Sequence, residues 1–164
     1  MRLTVIVAIV AVVVLLGVGG ALTKVGAWYR ALAKPSWNPP DWLFGPAWTV
    51  ILGLAGWGGV MAWNAARTPL DHTRLAVAIG VNMACHALWS PLFFMARRPD
   101  WSLIESVFLW FACVALAYTY GQFSDAARLT VVPYVVWVTF ATFLNWKIVQ
   151  LNRPFGARDA RVAA

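Results

Sequence analysis

Long apolar stretches alternate with short polar segments along this 164-residue chain. Each stretch is long enough to cross the roughly 30 Å hydrocarbon layer of a bilayer as a helix, at a rise of about 1.5 Å per residue. The sequence therefore predicts an all-α integral membrane protein, a bundle of five transmembrane helices in a single domain over residues 1–164. The predicted spans are residues 3–22, 42–63, 75–96, 101–120 and 129–146.

The first apolar stretch has a second interpretation. Arg2 in front of it and the small residues Gly19, Gly20 and Ala21 near its end also fit a secretory signal. Because the apolar part of a signal usually stops at about 15 residues, we expect a retained helix.

The connector between the first two spans, residues 24–41, is rich in proline and tryptophan. Its prolines fix the backbone and exclude helix, so this connector is stiff. Before them, Trp28, Tyr29 and Leu32 at helical spacing predict a short interfacial helix. Two interpretations stay open for the indoles: a lid over a flat apolar ligand, or an anchor at the membrane interface.

The third stretch carries a ridge of small residues on one face. Such ridges let membrane helices approach one another closely. We therefore expect this face to contact another span or a second copy of the chain. The ridge consists of Ala76, Gly80, Ala84 and Ala87.

The other side of the same predicted helix is polar and aromatic, with Asn82, His86, Trp89 and Phe93 spaced by three or four residues. Polar groups at membrane depth normally face a bundle interior or a cavity. For Asn82 and His86 two alternatives remain, an interhelical hydrogen bond or a polar anchor in a ligand cavity.

The fifth stretch places Tyr134, Trp137, Ala141 and Asn145 along one face. This pattern indicates either helix packing or the wall of a cavity that faces the polar side of the third stretch.

Glu105 is the one carboxylate inside the fourth predicted span. It lies about one turn from the start of that span, near Arg97 and Arg98. We therefore expect its carboxylate to be solvated or paired with one of these arginines.

Polar segments predict loops at residues 67–74 and at residues 122–128. His72 lies in the first of these loops and is predicted to be solvated. The basic tail, residues 152–164, is predicted to be disordered.

Composition agrees with a membrane protein. The chain is 62% hydrophobic and 12% charged, whereas soluble domains carry about 25% charged residues. The net charge of +7 is scattered over loops and tail without an aromatic-basic surface, so no nucleic-acid partner is predicted. Cys85 and Cys113 lie in apolar stretches and are expected to be buried small hydrophobic residues.

The sequence contains no glycine-rich phosphate loop, paired carboxylates, Cys/His metal cluster or nucleophile elbow. With two histidines, one of them in a predicted loop, a bis-histidine haem within one chain is not expected. The residues favour a binding protein with an indole-lined apolar cavity over a dedicated enzyme, with no metal site and no obligatory cofactor.

Basic residues predict the orientation. With an outside N-terminus, the outer segments hold Arg2, Arg67, Arg74 and Arg128, and the inner segments hold the other nine of the 13 Lys and Arg residues. Because positive residues favour the cytoplasmic side, we expect the N-terminus outside and the connector and C-terminus inside, in a bacterial cell membrane.

Three separated motifs, which together span most of the chain, resemble one known family. They are Lys-Pro-Ser-Trp-Asn-Pro-Pro at residues 34–40 followed by Phe44, Pro46 and Trp48, then residues 88–94, then residues 133–145. Together they resemble the signature of the TspO/MBR family, the tryptophan-rich sensory proteins related to the mitochondrial translocator protein, or peripheral benzodiazepine receptor.

The resemblance implies a five-helix bundle, commonly a homodimer, whose first loop closes over a pocket for porphyrins, sterols and benzodiazepine-type ligands. It implies a receptor or carrier in tetrapyrrole transport or stress sensing, with protoporphyrin IX or haem as ligand. By matching position, the lid would contain Trp37, Asn38, Pro39 and Pro40, and the pocket would be lined by Phe44, Trp48, Trp137, Ala141 and Asn145.

Two other functions are compatible with the residues. The resemblance implies light-dependent degradation of protoporphyrin IX through Trp48 and Trp137, which needs only an indole in contact with the excited ring. Alternatively, the protein has a structural or partner-regulating role in the membrane, mediated by the ridge of small residues.

The chain departs from the family pattern in two places. His86 stands where relatives usually carry Asn, and imidazole both titrates near neutrality and can ligate iron. We therefore expect ligand affinity to depend on pH or to favour metalloporphyrins. In the cholesterol-recognition pattern near residues 143–147, Trp146 replaces tyrosine, so this pattern carries no inference of sterol binding.

Overall fold

Five long helices and one short helix form the described part of the chain, residues 2–155, in a computed structural model. They are α1 (Arg2–Leu22), α2 (Ala27–Ala31), α3 (Asp41–Ala65), α4 (Pro69–Ser90), α5 (Pro99–Gly121) and α6 (Asp125–Asn152), and a π-helical turn, Pro91–Met95, continues α4. All five long helices are long and apolar enough to cross a membrane, which confirms the predicted bundle. The short helix α2 confirms the predicted element in the connector. Residues 156–164 of the predicted tail lie outside the described residues.

The first predicted polar loop, residues 67–74, is helical from Pro69 onwards, so this prediction is wrong for residues 69–74. The Thr68 side chain accepts a hydrogen bond from the Asp71 N–H, and the Asp71 carboxylate accepts one from the Thr68 N–H, each at 3.1 Å. This capping box lets α4 start within polar sequence. His72 is consequently helical rather than solvated in a loop: its Nδ1 lies 2.9 Å from the Thr68 carbonyl oxygen, and its ring packs edge-on against Trp63.

The helix α6 also extends beyond its apolar stretch at both ends. It begins at Asp125 because the Ser124 hydroxyl accepts a hydrogen bond from the Ala127 N–H at 3.3 Å. It ends at Asn152, six residues past the predicted boundary at residue 146. The predicted loop over residues 122–128 is therefore wrong in its second half.

The helices α5 and α6 pack most extensively, α4 lies against α5, and α3 lies against α6. Leu75, Cys113, Val131 and Tyr134 are fully buried where these four helices meet. Cys113 is thus buried as predicted, whereas Cys85 is half-buried. The helix α1 packs mainly on α3 and contributes no buried residue to the core.

Large apolar side chains cover the outside of every long helix. Leu3, Trp57, Val77, Phe108 and Val136 are examples, each exposed on a different helix. Backbone groups of a helix are satisfied internally, so a helix with such a surface is stable in lipid. The described residues therefore form a multi-pass protein that contacts the lipid bilayer.

Candidate functional site

A cavity of about 310 Å³ lies between the connector, α1, α3, α5, α6 and the end of α4. Its volume is at the lower end of the range of about 300–1,000 Å³ that is common for ligand sites. Its aromatic lining consists of Tyr29, Phe44, Trp48, Trp89, Phe93 and Phe94, and its polar lining includes Thr23, Asn38, Asp41, His86, Ser90, Ser106, Thr142 and Asn145. This combination of rings and separated polar groups is typical of a binding site for a broad, largely apolar ligand.

The connector is fixed over the cavity by polar contacts of Tyr29. Tyr29 is only 8% exposed, and its hydroxyl donates a hydrogen bond to the Asp41 carboxylate at 2.8 Å. Burial, and then this hydrogen bond, raise the pKa of Tyr29 above its ordinary value. The Lys34 ammonium lies 3.9 Å from the centre of the same ring. These contacts hold α2 against the start of α3.

Two further contacts attach the connector to α6. The Trp37 ring stacks on Phe143, with centroids 5.3 Å apart and planes 14° apart. The Asn152 side chain accepts a hydrogen bond from the Ala33 N–H at 2.9 Å and donates one to the Ala33 carbonyl at 2.8 Å. Both backbone groups of Ala33 are thus paired with one side chain at the end of α6.

Trp48 lies at the centre of a group of rings from three helices, here called the aromatic wall. Its ring lies edge-on to His86, Tyr134 and Trp137, with centroids 4.7, 6.0 and 6.2 Å away. The Tyr134 hydroxyl lies 3.0 Å from the His86 Nδ1. Because α3, α4 and α6 each supply one side of this group, it forms only when these helices are packed together.

A second aromatic group closes the connector side of the cavity. Trp89 stacks on Phe93 at a centroid distance of 4.9 Å, and Tyr29 of the connector packs against Phe93 and Phe94. The Trp89 indole donates a hydrogen bond to the Ser106 hydroxyl at 3.1 Å, which links α4 to α5.

Two amides connect helices in the interior. The Asn82 side chain, which lies outside the cavity lining, donates to the Cys113 sulfur at 3.3 Å. Asn145 lies 3.0 Å from the Ser102 hydroxyl, and with its amide oriented to satisfy both ends it also accepts from the Leu103 N–H at 3.0 Å. Asn82 therefore makes an interhelical hydrogen bond, the first of the two alternatives open from sequence, whereas His86 makes one and also lines the cavity.

Glu105 does not occupy the environment that we predicted. It is only 6% exposed, and neither carboxylate oxygen has a hydrogen-bond partner among the described residues. Arg98 is instead paired with Asp100, whose Oδ1 accepts from the Arg98 Nε at 2.8 Å. The predicted solvation or pairing of Glu105 is wrong because a nearer carboxylate takes the arginine.

The structure places the sequence-predicted residues in three positions. Asn38, Phe44, Trp48, His86, Trp89, Ala141 and Asn145 line the cavity. Trp37, Pro39, Pro40, Asn82, Tyr134 and Trp137 lie outside its lining, with Tyr134 and Trp137 directly behind Trp48. Of the ridge, Ala76, Gly80 and Ala84 are exposed and Ala87 is half-buried. Ligand contacts at all these residues stay predictions.

Most lining residues were not among the predicted set, and four of these that carry polar side chains are Tyr29, Asp41, Ser106 and Thr142. Ser106 was missed because no cavity face was predicted on the fourth span. Thr142 was missed although it lies three residues before Asn145, a spacing that places both on one helix face. The Thr142 hydroxyl is buried and has no hydrogen-bond partner among the described residues.

Comparison with known proteins accounts for this arrangement. Residues 6–151 match the TspO/MBR family. The chain belongs to this family. The tryptophan-rich protein TspO of Chlorobaculum tepidum is 36% identical over 79% of this chain and 82% of its own length. The tryptophan-rich sensory protein of Cereibacter sphaeroides is 35% identical over 81% and 82%, and the human translocator protein is 32% identical over 76% and 75%.

The three TspO/MBR motifs meet at the cavity. The connector motif supplies Asn38, Phe44 and Trp48, the motif at residues 88–94 supplies the second aromatic group, and the motif at residues 133–145 supplies the α6 wall. The three motifs thus contribute to one cavity.

We predict that Asn152 keeps the connector closed in this TspO/MBR chain. Asn152→Ala removes both side-chain hydrogen bonds to Ala33, each worth about 1 kcal/mol net, so the connector should open about thirty times more often. Amide hydrogen exchange of connector peptides in detergent measures this opening. Asn64→Ala, at an exposed position near the end of α3, is the control. Unchanged exchange in Asn152→Ala would contradict the prediction.

Proposed function

We propose that this membrane protein is a receptor or carrier that binds porphyrins in the cavity beneath the connector, with a role in tetrapyrrole transport or stress sensing. The observation that carries the proposal is the wall formed by Trp48 and its ring neighbours at 4.7–6.2 Å, which is covered by an aromatic connector. Indole and phenyl faces stack on flat aromatic ligands. Membership of a family whose relatives are named translocator and tryptophan-rich sensory proteins supports a receptor role.

The cavity volume implies that the connector has to move before a porphyrin can bind. A tetrapyrrole is a broad ring system, so it enters a cavity of about 310 Å³ only when the connector moves aside. The connector is attached to the bundle through side-chain contacts at Trp28, Tyr29, Ala33 and Trp37, which this motion has to break. Sterols and benzodiazepine-type compounds, which are smaller apolar ring systems, are proposed as further ligands.

Dark titration of the purified protein with protoporphyrin IX, followed by quenching of tryptophan fluorescence, tests the proposal. We expect saturable binding with a Kd of micromolar order, weakened about tenfold by Trp48→Phe, which reduces the wall, and less by Trp137→Phe, which lies behind it. Trp57→Phe is the matched control, because Trp57 lies on α3 with its side chain exposed on the lipid side. Absent or non-saturable binding by the folded protein would refute porphyrin binding.

A second candidate function is light-dependent degradation of protoporphyrin IX. The contact between Trp48 and Trp137, with centroids 6.2 Å apart, favours it, because an oxidised Trp48 has a second indole next to it from which it can regain an electron. Illumination would move an electron from Trp48 to the excited porphyrin, dissolved dioxygen would then oxidise the reduced ring, and an external reductant would restore the indoles after each turnover. Loss of turnover with retained binding in Trp137→Phe would support this function.

The ridge of small residues supports self-association as a homodimer. Ala76, Gly80 and Ala84 are exposed, and a side chain added at Gly80 would meet no atom within 4 Å, so within residues 2–155 nothing covers the ridge at this point. A membrane-structural or partner-regulating role would use the same surface.

For orientation, the distribution of basic residues supports an outside N-terminus and an inside connector.

A further inference from the structure

We propose that His86 is an axial ligand for the iron of a bound iron porphyrin, and that Tyr134 is the positioning residue that fixes the imidazole. This inference rests on the proposed porphyrin site and adds a preference for the iron-containing ring. His86 lines the cavity, and its Nδ1 lies 3.0 Å from the Tyr134 hydroxyl. No hydrogen bond to Nε2 is found within residues 2–155.

The two ring nitrogens of His86 have different surroundings. Tyr134 is 0% exposed, so its hydroxyl has no access to water, and it lies 3.0 Å from Nδ1. Trp48 packs edge-on to the imidazole at 4.7 Å and limits rotation of the ring. Histidines that bind metals commonly use one nitrogen for the metal and donate the other N–H to a second group. Here Nδ1–H would donate to the Tyr134 oxygen, and the Nε2 lone pair would be free for iron.

The residues around His86 indicate which class of metal complex this histidine would bind. Within residues 2–155 there is no group of three or more His, Cys, Asp or Glu side chains that could hold a metal ion. One imidazole is therefore suited to a metal that brings its own four nitrogen ligands, as in an iron porphyrin. On binding, an Fe–N bond to Nε2 forms and a weakly held axial water leaves, with no electron or proton transfer.

The alternative is that the contact between His86 and Tyr134 only links α4 to α6. Both interpretations agree with the 3.0 Å distance, but they differ in what they predict for ligands with and without iron. An interhelical hydrogen bond affects both ligands equally. An axial bond affects only the ligand that contains iron.

The experiment compares dark titrations of the full-length protein with ferric haem and with metal-free protoporphyrin IX. For the wild-type protein we expect tighter binding of haem and a shift of its Soret band. His86→Asn should abolish the shift and reduce haem affinity on the order of tenfold more than it reduces protoporphyrin affinity. His86→Gln repeats the test if His86→Asn folds poorly. His72→Asn is the control, because His72 bonds to Thr68 outside the cavity.

Tyr134→Phe separates positioning from direct ligation. It removes the partner of Nδ1, so we expect haem still to bind, with a shifted Soret band or ferric EPR spectrum and an affinity lowered about tenfold. If His86→Asn keeps the wild-type haem spectrum while protoporphyrin binds, the axial role is refuted and the porphyrin site stands. If neither ligand binds the wild-type protein, both proposals fail.

Discussion

Gly58→Ala is expected to destabilise the folded bundle by about 1–3 kcal/mol. A side-chain carbon at this position would overlap the Thr130 hydroxyl and would lie 3.0 Å from the Ala127 carbonyl oxygen and 3.1 Å from the Tyr120 ring. The Thr130 hydroxyl already donates to Ala127 at 2.7 Å, and the carbonyl belongs to the α6 backbone. The helices α3 and α6 must therefore move apart at this contact.

Gly53→Ala on the same helix is the matched control for this prediction. A carbon added at Gly53 meets nothing within 4 Å, and alanine favours helix over glycine by up to about 1 kcal/mol. Thermal unfolding in detergent, followed by circular dichroism, should give a lower Tm for Gly58→Ala and an equal or higher Tm for Gly53→Ala. Equal melting temperatures for the two variants would show that α3 and α6 tolerate a wider spacing.

The number of spans was predictable because lipid imposes a simple requirement. Each crossing helix needs an apolar length, and charged residues rarely interrupt it. The connector was also predictable, since paired prolines at residues 39 and 40 exclude helix just before α3 begins at Asp41.

The ends of the helices were less predictable, because hydropathy reports where the apolar layer ends and not where the helix ends. The helix α4 extends into polar sequence through the capping box of Thr68 and Asp71, and α6 does so through the cap of Ser124. Caps of this kind are local hydrogen bonds, so they determine a boundary that average hydrophobicity cannot locate.

The ion pairs and hydrogen bonds between side chains inside the bundle were the least predictable feature. Sequence position suggested a charge pair for Glu105, but pairing depends on side-chain directions, and Asp100 lies closer to Arg98. Likewise, the periodicity that grouped Asn82 with His86 could not tell that Asn82 points to Cys113 while His86 meets Tyr134. The difference between Asn82 and His86 depends on the rotation of α4 against its neighbours.

Ala141→Phe is expected to lower protoporphyrin IX affinity by an order of magnitude or more. Ala141 lines the cavity on α6, on the same wall as Asn145. It is followed by Thr142, whose buried hydroxyl has no hydrogen-bond partner among the described residues. A phenyl ring here occupies space that a flat ligand needs, within a volume of only about 310 Å³. Dark titration by tryptophan quenching measures the loss, and circular dichroism checks that the bundle is intact.

Val136→Phe adds a ring of the same size on the same helix, but on the lipid side, where Val136 is 63% exposed. We expect unchanged affinity for this variant, since lipid chains rearrange around an added ring at low cost. If Ala141→Phe binds protoporphyrin IX as tightly as Val136→Phe, the ligand does not use the cavity beneath the connector. The exposed grooves between helices would then be the next place to look, beginning with the groove of about 870 Å³ between α4 and α5.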